Sequence, residues 1–212
     1  ILQSCGNGSS ELMSNISSSL VGMLYNFQLM RLIGEDGVSA YGVLMYVQFI
    51  FVAIFIGYSI GCAPVVSYHY GANNQDELKN LFLKSIRLIG TWAVSLFVIA
   101  QLIATPLATL FVGYDHGLFE LTRNGFRLYS FAFLINGFNI YGSAFFTALN
   151  NGLLSALISF LRTLVFQMAI VLLLPLILGI NGVWCSVAIA ELLTLCVTGT
   201  FIIRKRSTYH YF

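Results

Sequence analysis

Charge is scarce in this chain. Ten Lys and Arg and eight Asp and Glu are spread over 212 residues, 8% in all, whereas a soluble domain carries roughly 25%. So few ionisable groups cannot cover a water-facing surface of this size, which excludes an ordinary soluble domain. Ten scattered cations and a formal net charge of +2 also exclude a nucleic-acid footprint, which needs a dense basic face. Four cysteines, Cys5, Cys62, Cys185 and Cys196, lie far apart without a C-x-x-C pair. They indicate neither a zinc site nor a disulfide framework, and they read as small apolar packing residues. No basic stretch with an apolar core and a small-residue cleavage site precedes the first hydrophobic segment. With Ile1 at the start, the chain is expected to be a processed product or a piece of a longer one.

What is there is apolar bulk, 58% hydrophobic and 15% aromatic residues, and the chain belongs in a bilayer. Fifteen of the charges fall in four short clusters: Arg31/Glu35/Asp36, Asp76/Glu77/Lys79/Lys84/Arg87, Asp115/Glu120/Arg123/Arg127 and Arg204/Lys205/Arg206. Between them run charge-free stretches long enough for the ~20 residues that cross a hydrocarbon core. Asn150-Asn151-Gly152 divides one overlong stretch, and Pro175 followed by Gly179–Gly182 divides another. Six transmembrane helices are expected, at about 10–32, 38–70, 86–112, 122–148, 153–178 and 182–203, in one lobe over 1–212. The runs are continuously apolar and too long for barrel strands, so the fold class is an all-α integral membrane protein. Gln75–Arg87, with Leu78, Leu81, Phe82 and Ile86 at helical spacing, is expected to lie along the interface.

An even number of spans puts both termini on one side. That side carries Lys79, Lys84, Arg87, Arg204, Lys205 and Arg206, against Arg31, Arg123 and Arg127 on the other. The positive-inside rule makes the terminal side cytoplasmic, so both ends are expected there, in a plasma membrane and most simply a bacterial inner membrane.

Glu11, Arg162 and Glu191 are left within the spans. An ionisable group at mid-span costs roughly 2.5–3.5 kcal/mol and normally faces a polar cavity or a partner. Glu11, Asn15, Ser18, Gly22 and Asn26 share one helical face, and Asn136, Asn139, Ser143, Thr147 and Asn150 share another. Two such stripes suggest a water-accessible interior between them that holds a small cation or hydrates a proton route. Hydrogen bonding between neighbouring helices would explain the amides and hydroxyls equally well. Glu11 is the expected proton carrier, while Arg162 and Glu191 suit an ion pair across adjacent helices. Gly57 and Gly61 form a G-x-x-x-G motif and Pro64 follows, which allows close packing or a hinge. His69, His116 and His210 have no partner at metal spacing and read as interfacial. No nucleophile with a base, His/Asp/Glu cluster or phosphate loop points to an enzyme.

Several strings resemble multidrug and toxic compound extrusion (MATE) transporters: GSSELMSN around Glu11, GEDGVSAYGVLMYVQF after the first span, GYSIGCAPVVSYHYGANNQDELKNLFLKS from Gly57, then SAFFTALNNG and SFLRTLVF. The resemblance covers roughly residues 6–206. It implies the C-terminal lobe, helices seven to twelve, of a twelve-helix transporter that exports small organic cations in exchange for H⁺ or Na⁺, with the N-terminal lobe of the same transporter and membrane lipids as partners. It implies no cofactor beyond the coupling ion and no nucleic-acid partner. It also implies a coupling site at Glu11, Asn15, Asn136 and Asn139, with any Na⁺ at Glu11. Asn136 stands where many members carry an acid, which leaves Glu11 as the titrating group. A lipid-linked oligosaccharide flippase of the same fold and a non-transporting membrane scaffold are the alternatives.

Overall fold

A computed structural model of the chain describes residues 2–209 and 211, with side chains described over 15–209 and at 211. Every regular element among them is helical. The order is α1 (Leu2–Leu32), α2 (Glu35–Gly71), α3 (Gln75–Val112), α4 (His116–Tyr129), α5 (Phe133–Ala148), α6 (Gly152–Phe160), α7 (Met168–Leu178) and α8 (Ile180–Tyr209). A 3-10 turn, Ser130–Ala132, joins α4 to α5, and a π-helical segment, Leu161–Gln167, joins α6 to α7. These pairs run on as single rods, so six rods result, and among the described residues five of them are long and apolar enough to cross a membrane.

The rods end where the sequence supplies turn chemistry. Asn73 and Asn150 take left-handed backbone conformations, φ 57° and 59°, which short polar side chains tolerate. The next residue in the turn then caps the following helix. The Asn74 side chain accepts from Glu77 N (3.3 Å) and Asn151 accepts from Leu154 N (3.1 Å); Asp115 does the same for Leu118 N (3.0 Å). Gly179 alone separates α7 from α8, at φ 57° and ψ −135°, a region that excludes a Cβ.

Small residues set the helix crossings, as membrane packing requires in the absence of a hydrophobic drive between helices. In α3, Ala93, Ala100, Ala104 and Ala108 are all buried along one face. A Cβ added at Gly137 would lie 2.5 Å from the Phe55 ring, and one at Gly125 would lie 2.9 Å from Trp184. Inside the bundle, Phe82, Tyr141 and Phe145 form an aromatic layer with Tyr211, which is buried and donates to Ile202 O (2.8 Å). Leu102, Leu110, Leu176 and Ile177 are exposed on the outside, which suits a surface facing lipid.

Two expectations are corrected. Gln75–Arg87 is not a separate interfacial helix but the first turns of α3. Nothing in that stretch breaks the helix, and Leu78, Phe82, Ser85 and Ile89 bury one continuous face while Lys84 and Arg87 stay outside the core. Nor is the close approach expected at Gly57 and Gly61 made among the described residues: a Cβ at each meets nothing within 4 Å. The helix α2 continues unbroken through Pro64, and this face points out of the lobe.

Candidate functional site

The helix α5 places Asn136 and Asn139 one turn apart, both buried, toward α8, where Glu191 is buried as well. The third contributor is Arg162, on the π segment. A π turn inserts an extra residue into the helical repeat and rotates the rest of the rod, and here the guanidinium reaches across to α8. Arg162 Nη2 and Nε lie 2.7 and 2.8 Å from Glu191 Oε1. Asn136, its amide oriented by the same network, donates to Glu191 Oε1 (2.9 Å) and to Ala132 O (3.2 Å). Asn139 Nδ2 donates to Glu191 Oε2 (2.7 Å) and to the main-chain oxygen of the same residue (2.8 Å).

One carboxylate is therefore held by a guanidinium and two amides drawn from α5 and the π segment. The cluster is neutral as a whole, which is what permits burial: an isolated ion would lose several kcal/mol of solvation. Tyr25 from α1 and Tyr129 from α4 lie within electrostatic reach of Glu191, and Tyr25 also neighbours Gln167 and Ser186. Tyr129 donates to Gln48 of α2. Asn139 Oδ1 is buried and accepts no hydrogen bond among the described residues.

One turn along the same face of α5, a run of hydroxyls fills the seam with α6. Thr147 Oγ1 donates to Ser155 Oγ (2.7 Å), Ser155 Oγ meets Ser143 Oγ (2.8 Å), and Ser143 Oγ meets Ser159 Oγ (3.1 Å). Thr163 Oγ1 then donates to Ser159 O (2.7 Å). The run starts beside the α5–α6 turn, where Asn151 Nδ2 donates to Tyr209 OH (2.8 Å).

The structure brings together Asn136, Asn139, Arg162 and Glu191, which the sequence distributes between two separate groups. It does not bring the two polar stripes face to face. Asn15, Ser18 and Asn26 of α1 are exposed, and Asn26 donates to Gly22 O of its own helix (3.0 Å), while the α5 stripe faces inward and is engaged by α6 and α8. The expected water-accessible interior between the stripes is not formed within this lobe, because α1 turns Val21, Tyr25 and Leu29 inward instead. Glu11 and Cys5 lie in α1 with their side chains outside the described residues, and His210 lies outside the described residues altogether. Ser155, Ser159 and Thr163 are functional candidates that sequence reasoning misses. Their spacing of four residues on one helical face, next to Arg162, is the available signal. Among the described residues, no group of three or more His, Cys, Asp or Glu side chains could hold a metal ion.

The MatE family profile matches residues 12–173. A MATE crystal structure in complex with MaL6 superposes with a TM-score of 0.85 at 21% identity, covering 93% of this chain and 45% of that one. An outward-facing multidrug resistance MATE family transporter of the MOP superfamily gives 0.85 at 21%, over 92% and 44%. A MOP superfamily transporter from Pyrococcus furiosus, described as having a binding pocket of reverse polarity that suggests a different function, gives 0.84 at 20%, over 92% and 44%. The chain spans about half the length of these structures. Among curated proteins none matches.

Proposed function

Because the chain belongs to the MatE family, we propose that it is the ion-coupled lobe of a secondary active transporter exporting small organic cations in exchange for H⁺ or Na⁺. The observation that carries this reading is the buried Arg162–Glu191–Asn136–Asn139 cluster. Charges placed inside a membrane bundle at this cost mark ion and substrate routes more often than packing. The complementary six-helix lobe is the proposed partner, with alternating access arising from rocking of one lobe on the other. The proposed location is a plasma membrane, and the loop charges support an orientation with both ends of this lobe cytoplasmic. Glu11, with Asn15 near it on α1, is the proposed primary coupling group.

A lipid-linked oligosaccharide flippase is the second reading. It needs cations free to receive an anionic pyrophosphate, and Arg162 is already held by Glu191, so efflux is favoured. A transporter accounts for these features better than an enzyme, since the guanidinium and both amide nitrogens of the cluster are spent on holding one carboxylate. In the intact transporter, Glu11→Gln is expected to abolish ion-coupled efflux of a cationic dye while expression persists. Fully gradient-dependent efflux in that variant would overturn the assignment of Glu11.

A further inference from the structure

We propose that the hydroxyls in the α5–α6 seam form a proton relay between the α5–α6 turn and Glu191, which makes H⁺ the ion this lobe handles. The inference rests on the transport reading above. The path is read from oxygen to oxygen: Thr147, Ser155, Ser143 and Ser159 stand 2.7, 2.8 and 3.1 Å apart in succession, each within hydrogen-bonding distance. In the two inner links either oxygen can donate, so these links can reverse their polarity, as a relay must. Ser143 Oγ also reaches Ser155 O at 3.2 Å, an alternative resting orientation for its proton.

The independent observation is Asn139. Its Oδ1 is fully buried and unpartnered among the described residues, and leaving a buried acceptor unsatisfied costs about 1–3 kcal/mol. Asn139 sits one turn from Ser143 on the same face of α5, and its Nδ2 already touches Glu191 Oε2. An acceptor at this point suits a water that carries the proton across the last step from the seam to the carboxylate. Packing alone explains one or two such hydroxyl bonds between helices, at about 0.6 kcal/mol each. It does not explain a chain of four hydroxyls whose central member, Ser143, lies one helical turn from an orphaned acceptor on a residue that touches a buried carboxylate.

The proton balance is simple. A proton arriving at Thr147 Oγ1 sends that hydroxyl's own proton to Ser155, and the transfer repeats through Ser143 to Ser159. One O–H bond forms and one breaks at each oxygen, so the side chains end covalently unchanged. In the last step Ser159 gives its proton to the water at Asn139, which releases one of its own to Glu191, and the proton taken up there cancels the charge that holds Arg162. Arg162 is the charged group facing Glu191 among the described residues; Asn136 and Asn139 from α5, Tyr25 from α1 and Tyr129 from α4 complete its surroundings. Loss of that charge unties the π segment from α8 and so couples the proton to helix movement.

The test uses the intact transporter in proteoliposomes with ethidium as the transported cation. Ser143→Ala, which cuts the chain at its centre, is expected to slow uptake driven by a pH gradient roughly tenfold or more. Ethidium counterflow at equal pH on both sides should stay within about twofold, and Ser143→Thr, which restores a hydroxyl, should recover the driven rate. Driven uptake near the parent rate in Ser143→Ala, or counterflow falling in step with it, would overturn the relay. A parent protein driven by Na⁺ but not by H⁺ would overturn the relay and leave the efflux reading standing. A parent that moves ethidium under neither gradient would overturn both.

Discussion

Replacing Arg162 by methionine would strip Glu191 Oε1 of two of its three donors, Nε at 2.8 Å and Nη2 at 2.7 Å, leaving Asn136 on Oε1 and Asn139 on Oε2. Removing one partner of a buried ion pair costs about 3–5 kcal/mol, chiefly because the other charge is stranded. The two remaining amides and the partial exposure of the arginine side chain, 21%, place this variant at the lower end, about 3 kcal/mol. Glu191→Gln keeps the shape and strands the guanidinium instead, at about 2 kcal/mol. In the double variant neither charge is stranded, so its cost should fall below the sum of the singles by about 2 kcal/mol or more. Equilibrium unfolding of the intact transporter in mixed detergent micelles of rising sodium dodecyl sulfate content gives all three values. A coupling below about 0.5 kcal/mol, the additivity expected of independent sites, would refute the view that this pair is buried and mutually dependent.

Two further predictions concern the scaffold. A Cβ at Gly182 would lie 2.6 Å from Leu174 O, a backbone atom, whereas one at Gly199 meets nothing within 4 Å. Gly182→Ala should therefore destabilise the same protein by about 1–3 kcal/mol, while Gly199→Ala, on the same helix, should be neutral or stabilising by up to about 1 kcal/mol. Equal effects in the same unfolding assay would contradict the close α7–α8 contact. Asn151→Ala removes the cap on Leu154 N and the donor to Tyr209 OH and should cost about 1–2 kcal/mol, with Asn151→Ser recovering part of it. The reading fails if Ser is no better than Ala.

Much of the fold is legible in the sequence because charge and turn residues punctuate an apolar chain. The clusters around Arg31, Asp76, Asp115 and Arg204 fall at or near rod ends, and Asn150-Asn151-Gly152 and Gly179 fall at the breaks. The amphipathic start of α3 misleads because a buried face within a bundle and a face laid on a membrane share one periodicity. The α1 stripe misleads in a different way. Polar residues spaced along one face reveal that they share it, not whether that face turns inward, and in α1 the aromatic Tyr25 takes the interior. The site is half legible: Arg162 and Glu191 stand out as charges in apolar runs, and Asn136 and Asn139 as a stripe. That all four meet depends on the π turn at Leu161–Gln167, whose extra residue leaves no mark on the hydrophobic pattern of LRTLVFQ.

The single residue between α7 and α8 has a consequence for biogenesis. The rod bearing Arg162 and the rod bearing Glu191 are joined through Gly179 alone, so the two are neighbours in sequence as well as in space and can pair as one tight hairpin. Inserted singly, each charge would meet lipid at roughly 2.5–3.5 kcal/mol; inserted as a pair, the two cancel before either is exposed. The hairpin from Gly152 to Tyr209 thus carries both members of its ionic bond, and a hairpin that enters the bilayer as a unit spares each charge the cost of entering alone.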